Sequence, residues 1–77
     1  MSRLTAFGHA VREQRHALGI SQELFAERAK LHQTYVSGIE RGKRNPTLSV
    51  IWRLADALEI GPGDLLLRTE GYLSETD

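Results

Sequence analysis

The sequence predicts an all-α fold of five helices in one small domain, and three observations carry that expectation. Apolar residues recur at spacings near 3.6, and no stretch alternates as a strand would. Helix start and stop residues flank these runs: Ser21 and Thr47 ahead of them, Gly19 and Gly42 behind them. The chain has 77 residues and no cysteine. It sits near the lower size limit for a single stable core and has no disulfide or thiolate-metal staple, so it must rely on helix packing, on dimerisation, or on both.

The elements follow in order. Phe7, Ala10, Val11 and Leu18 place a first helix over about residues 4–18, stopped by Gly19. Ser21 caps a second helix that runs to about residue 29, with Glu23 in the favourable first turn and Leu24, Phe25, Ala26 and Ala29 on its buried side. A third helix spans about residues 33–42, with Val36, Ile39 and part of Tyr35 turned inward and Gly42 at its end. Pro46 forces Asn45 out of the helical region, which makes 43–46 a loop. Thr47 then caps a fourth helix whose broad apolar face comprises Leu48, Ile51, Trp52, Leu54, Ala55 and Leu58. Gly61 and Pro62 open a short fifth helix in which Leu65 and Leu66 close the core. These elements assign residues 1–66 to the folded domain. Residues 67–77 are expected to be a loose tail or part of a dimer contact.

A net charge of +0 does not by itself suggest a nucleic-acid partner, but the charges are unevenly distributed. Residues 1–45 hold eight basic and four acidic residues, net +4, whereas residues 46–77 hold two basic and six acidic, net −4. A basic half suits a phosphate backbone, and an acidic half can face away from it. No apolar run is long enough to span a membrane, and the N-terminus lacks the apolar core of a signal peptide, so a cytoplasmic location is expected. His9, Glu13 and His16 are the nearest approach to a catalytic or metal constellation. The two histidines lie about 10.5 Å apart along a helix, too far for one metal, and neither an enzyme nor a cofactor is expected. No second domain or roomy core suggests a small-molecule ligand.

Residues 21–45 combine a short helix, a tight connection, a second helix with polar residues at its start, and a basic loop. That is the layout of a helix-turn-helix, whose second helix enters the DNA major groove. Three signatures sharpen this: R-x-x-x-G-I-S-Q-E-x-x-A over Arg15–Ala26, Y-V-S-G-I-E-R-G over Tyr35–Gly42, and R-N-P-T-L over Arg44–Leu48. Across about residues 6–66 the chain resembles the Xre/Cro–CI family of repressors. The resemblance implies a lambda-repressor-like domain with the helix-turn-helix at helices 2 and 3. The wording T-Y-V-S-G-I-E-R-G-K-R-N is especially similar to the controller proteins of restriction–modification systems.

The resemblance implies a division of labour. Gln22, at the start of the second helix, is expected to approach a phosphate. Arg41, Lys43, Arg44 and Asn45 are expected to hold the backbone on the far side of the third helix. Gln33, Thr34 and Ser37 share one exposed face by helical spacing and are the expected base readers, with Gly38 allowing close approach. Gln pairs bidentately with adenine, and the Thr methyl meets a thymine methyl. Controller relatives tend to carry Arg at position 33, so Gln33 points to a less guanine-directed operator. Tyr35 reaches a phosphate through its hydroxyl or packs through its ring. Arg15 and Glu40 form a partly buried ion pair in the family and are read as structural.

Two departures from the family stand out. Lys30 occupies a turn position that usually holds Gly and tends to need positive φ, at a cost of about 1 kcal/mol. His32 replaces the usual Ser, Thr or Asp cap of the third helix, a loss of about 0.5–2 kcal/mol, which a neutral imidazole acceptor would partly offset. Trp52, Leu66 and Leu67 are candidates for a homodimer contact, and two-fold dimers of this kind read palindromic double-stranded DNA with half-sites about 34 Å apart. The competing function is a protein-interaction module that uses the same helical surface without specific DNA binding, such as an antitoxin-like or adaptor role.

Overall fold

The computed structural model describes residues 1–74, and its elements are five helices with no strand among those residues: α1 Arg3–Leu18, α2 Gln22–Ala29, α3 Gln33–Glu40, α4 Leu48–Ala57 and α5 Pro62–Ser74. Three of them start on a side-chain cap. Ser2, Ser21 and Thr47 accept from the backbone N–H three residues on, at Thr5, Leu24 and Val50. His32 stands at the same position of α3 with extended backbone, but its side chain makes no cap hydrogen bond. The expected compensation by imidazole is absent, and of these four helix starts that of α3 is the least supported.

The helix ends repeat one device. After α1, α2, α3 and α4 the backbone turns left-handed at Gly19, Lys30, Gly42 and Glu59, with φ of 70°, 59°, 73° and 62°. In each case the N–H of that residue bonds to the carbonyl three residues back: Gly19 to His16, Lys30 to Glu27, Gly42 to Ile39 and Glu59 to Asp56. The next N–H bonds five back, from Ile20, Leu31, Lys43 and Ile60 to Arg15, Ala26, Gly38 and Ala55. This is the Schellman closure, which satisfies carbonyls the helix leaves orphaned. Ile20, Leu31 and Ile60 then pack against the core just beyond their helices, which offsets the left-handed strain at the non-glycine Lys30 and Glu59. Arg53 of α4 adds to the closure of α2 by donating to the carbonyls of Ala29 and Lys30. The third helix ends at Glu40, two residues before the expected 42, because its closing turn already begins at Arg41.

The core is built from Phe7, Ala10 and Val11 of α1, Phe25 and Ala29 of α2, Val36 and Ile39 of α3, Leu54, Ala55 and Leu58 of α4 and its end, and Leu65 of α5. α1 packs against both α3 and α5. It approaches α3 closely at Gly8, where an added Cβ would lie 2.5 Å from the Ile39 carbonyl oxygen. Buried Gln14 ties this core to two other elements: its amide donates to the Leu58 carbonyl, and its oxygen accepts from Arg68 at 2.7 Å.

The sequence expectation needs three corrections. α5 does not end near Leu66; it continues to Ser74. Leu65, Thr69 and Tyr72 lie on one face at i, i+4 and i+7, with Leu65 and Thr69 buried and Tyr72 half-buried against α1. The Tyr72 ring stacks on His9 with centroids 5.4 Å apart, and its hydroxyl donates to Glu13 at 2.8 Å. The remainder of the expected tail, residues 75–77, lies outside the described residues. Second, Leu66 does not close the core but is 41% exposed. Third, the apolar face of α4 splits: Leu54 and Ala55 go inside, while Leu48 and Trp52 stay out, 65% and 50% exposed.

The bare start of α3 is testable. His32→Ser supplies the missing acceptor and is expected to raise stability by about 1 kcal/mol, read as a higher urea midpoint at unchanged m value. A midpoint that does not move would show that His32 costs the helix nothing.

Candidate nucleic-acid interface

The interface begins with one buried ion pair. Arg15 of α1 donates from Nε to Glu40 Oε2 at 2.8 Å and from Nη2 to Glu40 Oε1 at 3.0 Å. Both side chains are almost wholly buried, 10% and 4% exposed. Arg15 also donates from Nη1 to the Ile20 carbonyl at 3.0 Å, which holds the turn into α2. Its Nη2 lies 3.4 Å from His16 Nε2, where arginine must be the donor and the ring nitrogen the acceptor. One guanidinium thus joins α1, the α1–α2 turn and the end of α3.

Glu40 passes this order outward. Its Oε1 accepts from Gln22 Nε2 at 3.2 Å, and Gln22 Oε1 accepts from Gln33 Nε2 at 3.4 Å. A carboxylate only accepts, so it dictates which end of the Gln22 amide faces it, and that choice in turn dictates the end presented to Gln33. Sequence reasoning places Gln22 and Gln33 separately and does not anticipate this chain. The available signal is the glutamine at the first position of each helix in the motif.

Gln22, Gln33, Thr34 and Ser37 line one shallow polar cleft at the start of α3. Gln33 and Thr34 are exposed, and Ser37 is half-buried at its edge. The structure therefore gathers the three expected readers and Gln22 on a single surface. It treats Gly38 differently. Gly38 is buried, and the space its side chain would fill is taken by Arg44, whose Cγ would lie 2.7 Å from an added Cβ. The close approach made possible by Gly38 is that of Arg44, which displaces the glycine from the expected reading surface.

Arg44 is in turn placed over Tyr35, with its guanidinium carbon 5.8 Å from the ring centroid. Tyr35 is half-buried, with its ring packed against the core. Arg41, Lys43, Arg44 and Asn45 are all exposed around the end of α3, as a loop that meets a phosphate backbone must be. Asn45 also borders an apolar cleft with Phe7, Pro46, Ile51 and Leu66. The His9, Glu13 and His16 row faces Tyr72 of α5. Among the described residues, no group of histidine, aspartate and glutamate is arranged to hold a metal ion.

This geometry sets a short polar helix start on a buried scaffold, flanked by exposed cations, which is how a helix-turn-helix presents itself to the DNA major groove. Residues 11–65 match the helix-turn-helix family, and the chain belongs to that family, as a DNA-binding transcriptional regulator of the Xre/Cro–CI type. It is 46% identical over 61 residues to the control protein C.BamHI of Bacillus amyloliquefaciens, covering 78% of this chain and 75% of that one. It is 45% identical over 58 residues to the control protein C.SmaI of Serratia marcescens, covering 75% and 69%. The crystal structure of the restriction–modification controller protein C.AhdI of Aeromonas hydrophila superposes with a TM-score of 0.79 at 48% identity, covering 80% of this chain and 94% of that one.

The ion pair yields a direct test. Glu40→Ala strands the Arg15 guanidinium in a nearly dry site and is expected to cost about 3–5 kcal/mol. That is a large share of the roughly 5–15 kcal/mol typical of a folded domain. Urea unfolding measures it, and a cost below that of an ordinary surface substitution would remove the pair from its central place.

Proposed function

We propose that the chain acts as a homodimer that binds a palindromic operator and regulates restriction–modification genes or its own promoter. Gln33, Thr34 and Ser37 read bases, and Gln22, Arg41, Lys43, Arg44 and Asn45 hold phosphates. The observation that carries this reading is the chain from Glu40 through Gln22 to Gln33. It occupies one N–H of the Gln33 amide and leaves its other N–H and its oxygen without a protein partner at the edge of the cleft. One donor and one acceptor side by side are what adenine N7 and N6 require. Gln22 likewise keeps a second N–H for a phosphate beside the start of α2.

The dimer reading is supported by apolar surface left uncovered. Leu48 and Trp52 stand one turn apart on α4, and Leu66 and Leu67 lie on α5; all four are exposed. Burying large aliphatic and aromatic side chains contributes about 1.5–3 kcal/mol each, and a single module with so small a reading surface gains both affinity and half-site spacing by pairing. The genes controlled follow from kinship with control proteins and not from any feature of the site. The same reading places the protein in the cytoplasm, where its DNA is.

Selection of bound sequences from random DNA tests the whole reading. A two-fold symmetric consensus is expected, with affinity that falls steeply with salt; no consensus and a flat salt response would sink it. Within such a consensus, Gln33→Ala is expected to relax preference at one base position by about 1–3 kcal/mol. Arg44→Ala is expected to weaken all sequences alike and to make the log–log salt slope shallower by about 0.9. Identical behaviour of the two variants would dissolve the division between readers and anchors. Leu67→Glu is expected to shift the monomer–dimer equilibrium toward monomer in sedimentation experiments while helicity is retained; an unchanged equilibrium would move the interface elsewhere.

A further inference from the structure

We propose that Arg12 of α1, together with Arg41, forms a second phosphate clamp that grips the DNA backbone just outside the bases met by α3. The inference rests on the DNA-readout reading above and extends it to a helix outside the helix-turn-helix.

A second polar cleft is lined by Arg12, Arg15, Gln22, Ser37, Glu40 and Arg41. It shares Gln22 and Ser37 with the reading cleft, so the two form one continuous surface. A strand whose bases meet Gln33 and Ser37 carries its backbone past Arg12 and Arg41. The charge there is uneven: three arginines and one glutamate line the cleft. Both oxygens of Glu40 are engaged by Arg15 and Gln22, so that acid offers nothing further to the cleft. Arg12 and Arg41 are both exposed, and neither makes an ion pair among the described residues. On α1 the neighbours of Arg12 one turn away are Gly8, His9, Arg15 and His16, none of them acidic. Adjacent Glu13 is directed to Tyr72. Arg12 and Arg41 thus line one cleft whose carboxylate is already engaged by Arg15 and Gln22, a charge balance that favours an entering anion.

An ordinary structural role for Arg12 would be to cap the carbonyls at the end of α3. Three of the last four carbonyls, those of Ser37, Gly38 and Ile39, already accept from the N–H groups of Arg41, Lys43 and Gly42, and among the described residues Arg12 makes no hydrogen bond to the fourth, that of Glu40. Arg12 therefore does not act as a cap of that helix end. What places Arg12 there is Gly8, one turn earlier on the same face, whose missing side chain lets α1 cross close to the end of α3.

The test uses the full chain and the operator recovered by selection, titrated over a range of salt with wild type, Arg12→Gln and Arg12→Lys. For one phosphate contact, counterion release predicts that Arg12→Gln binds about fivefold more weakly near 0.15 M salt and has a slope shallower by about 0.9. Its base preferences stay those of wild type, and Arg12→Lys keeps the full slope. Replacing phosphates flanking the half-site one at a time by neutral methylphosphonate locates the contact. At one position wild type loses the same factor and Arg12→Gln loses nothing further. Unchanged affinity and slope in Arg12→Gln overturn the clamp. So does a loss that follows a lowered urea midpoint at unchanged slope, which would make Arg12 structural. A wild-type protein with no operator and a flat salt response sinks the DNA reading and the clamp together, whereas a normal wild type beside an unaltered Arg12→Gln sinks the clamp alone.

Discussion

The Arg15–Glu40 pair is the contact through which the rest of the molecule is ordered. A buried ion pair is not in itself a strong source of stability, because the desolvation of two charges opposes their attraction. Here the pair is repaid by what it connects. The guanidinium bonds to Glu40 through two N–H groups and to the Ile20 carbonyl through a third. The carboxylate then reaches Gln22, and Gln22 reaches Gln33. Helices α1, α2 and α3 therefore meet in one hydrogen-bonded cluster. No buried side-chain nitrogen or oxygen in the described residues is left unsatisfied.

Short helices make such a cluster necessary. α2 and α3 have eight residues each, too few to be stable alone in water. Phe25, Val36 and Ile39 anchor them in the core, and their ends supply the remaining constraints on orientation. Left-handed closures at Lys30 and Gly42 shape the exits, Arg53 braces the carbonyls at Ala29 and Lys30, and the ion pair braces α3 from below. The interface is thus a surface of caps and turns more than one of long helical faces.

Much of this is legible in residue order. Gly19, Gly42, Ser21 and Thr47 mark boundaries by local chemistry that tertiary packing does not override, and the helix starts fall within a residue of expectation. The positive φ at Lys30 is legible because its position in the motif demands a left-handed turn. The same conformation at Glu59 is not, since nothing local distinguishes that glutamate from a helical one. The length of α5 escapes a sequence reading because Thr69 and Gly71 weaken a helical pattern whose support comes from α1 across the core. In the site, the positions of Gln33, Thr34 and Ser37 on one face follow from helical spacing alone. The burial of Gly38 beneath Arg44 and the link from Glu40 to Gln22 depend on residues 6 and 18 positions apart meeting in space, which no periodicity encodes.

The carboxylate at the foot of the chain also limits what the surface can become. Glu40 accepts only, so Gln22 must turn its N–H inward and its oxygen toward position 33. That oxygen welcomes a donor and repels an acceptor. Glutamine and arginine both supply donors there, and in the proposed readout they select adenine and guanine. Aspartate or glutamate, the partners of cytosine, would set oxygen against oxygen over a buried negative charge. In that proposed readout, exchanging glutamine for arginine at position 33 moves preference between the two purines by one substitution and leaves the buried carboxylate untouched.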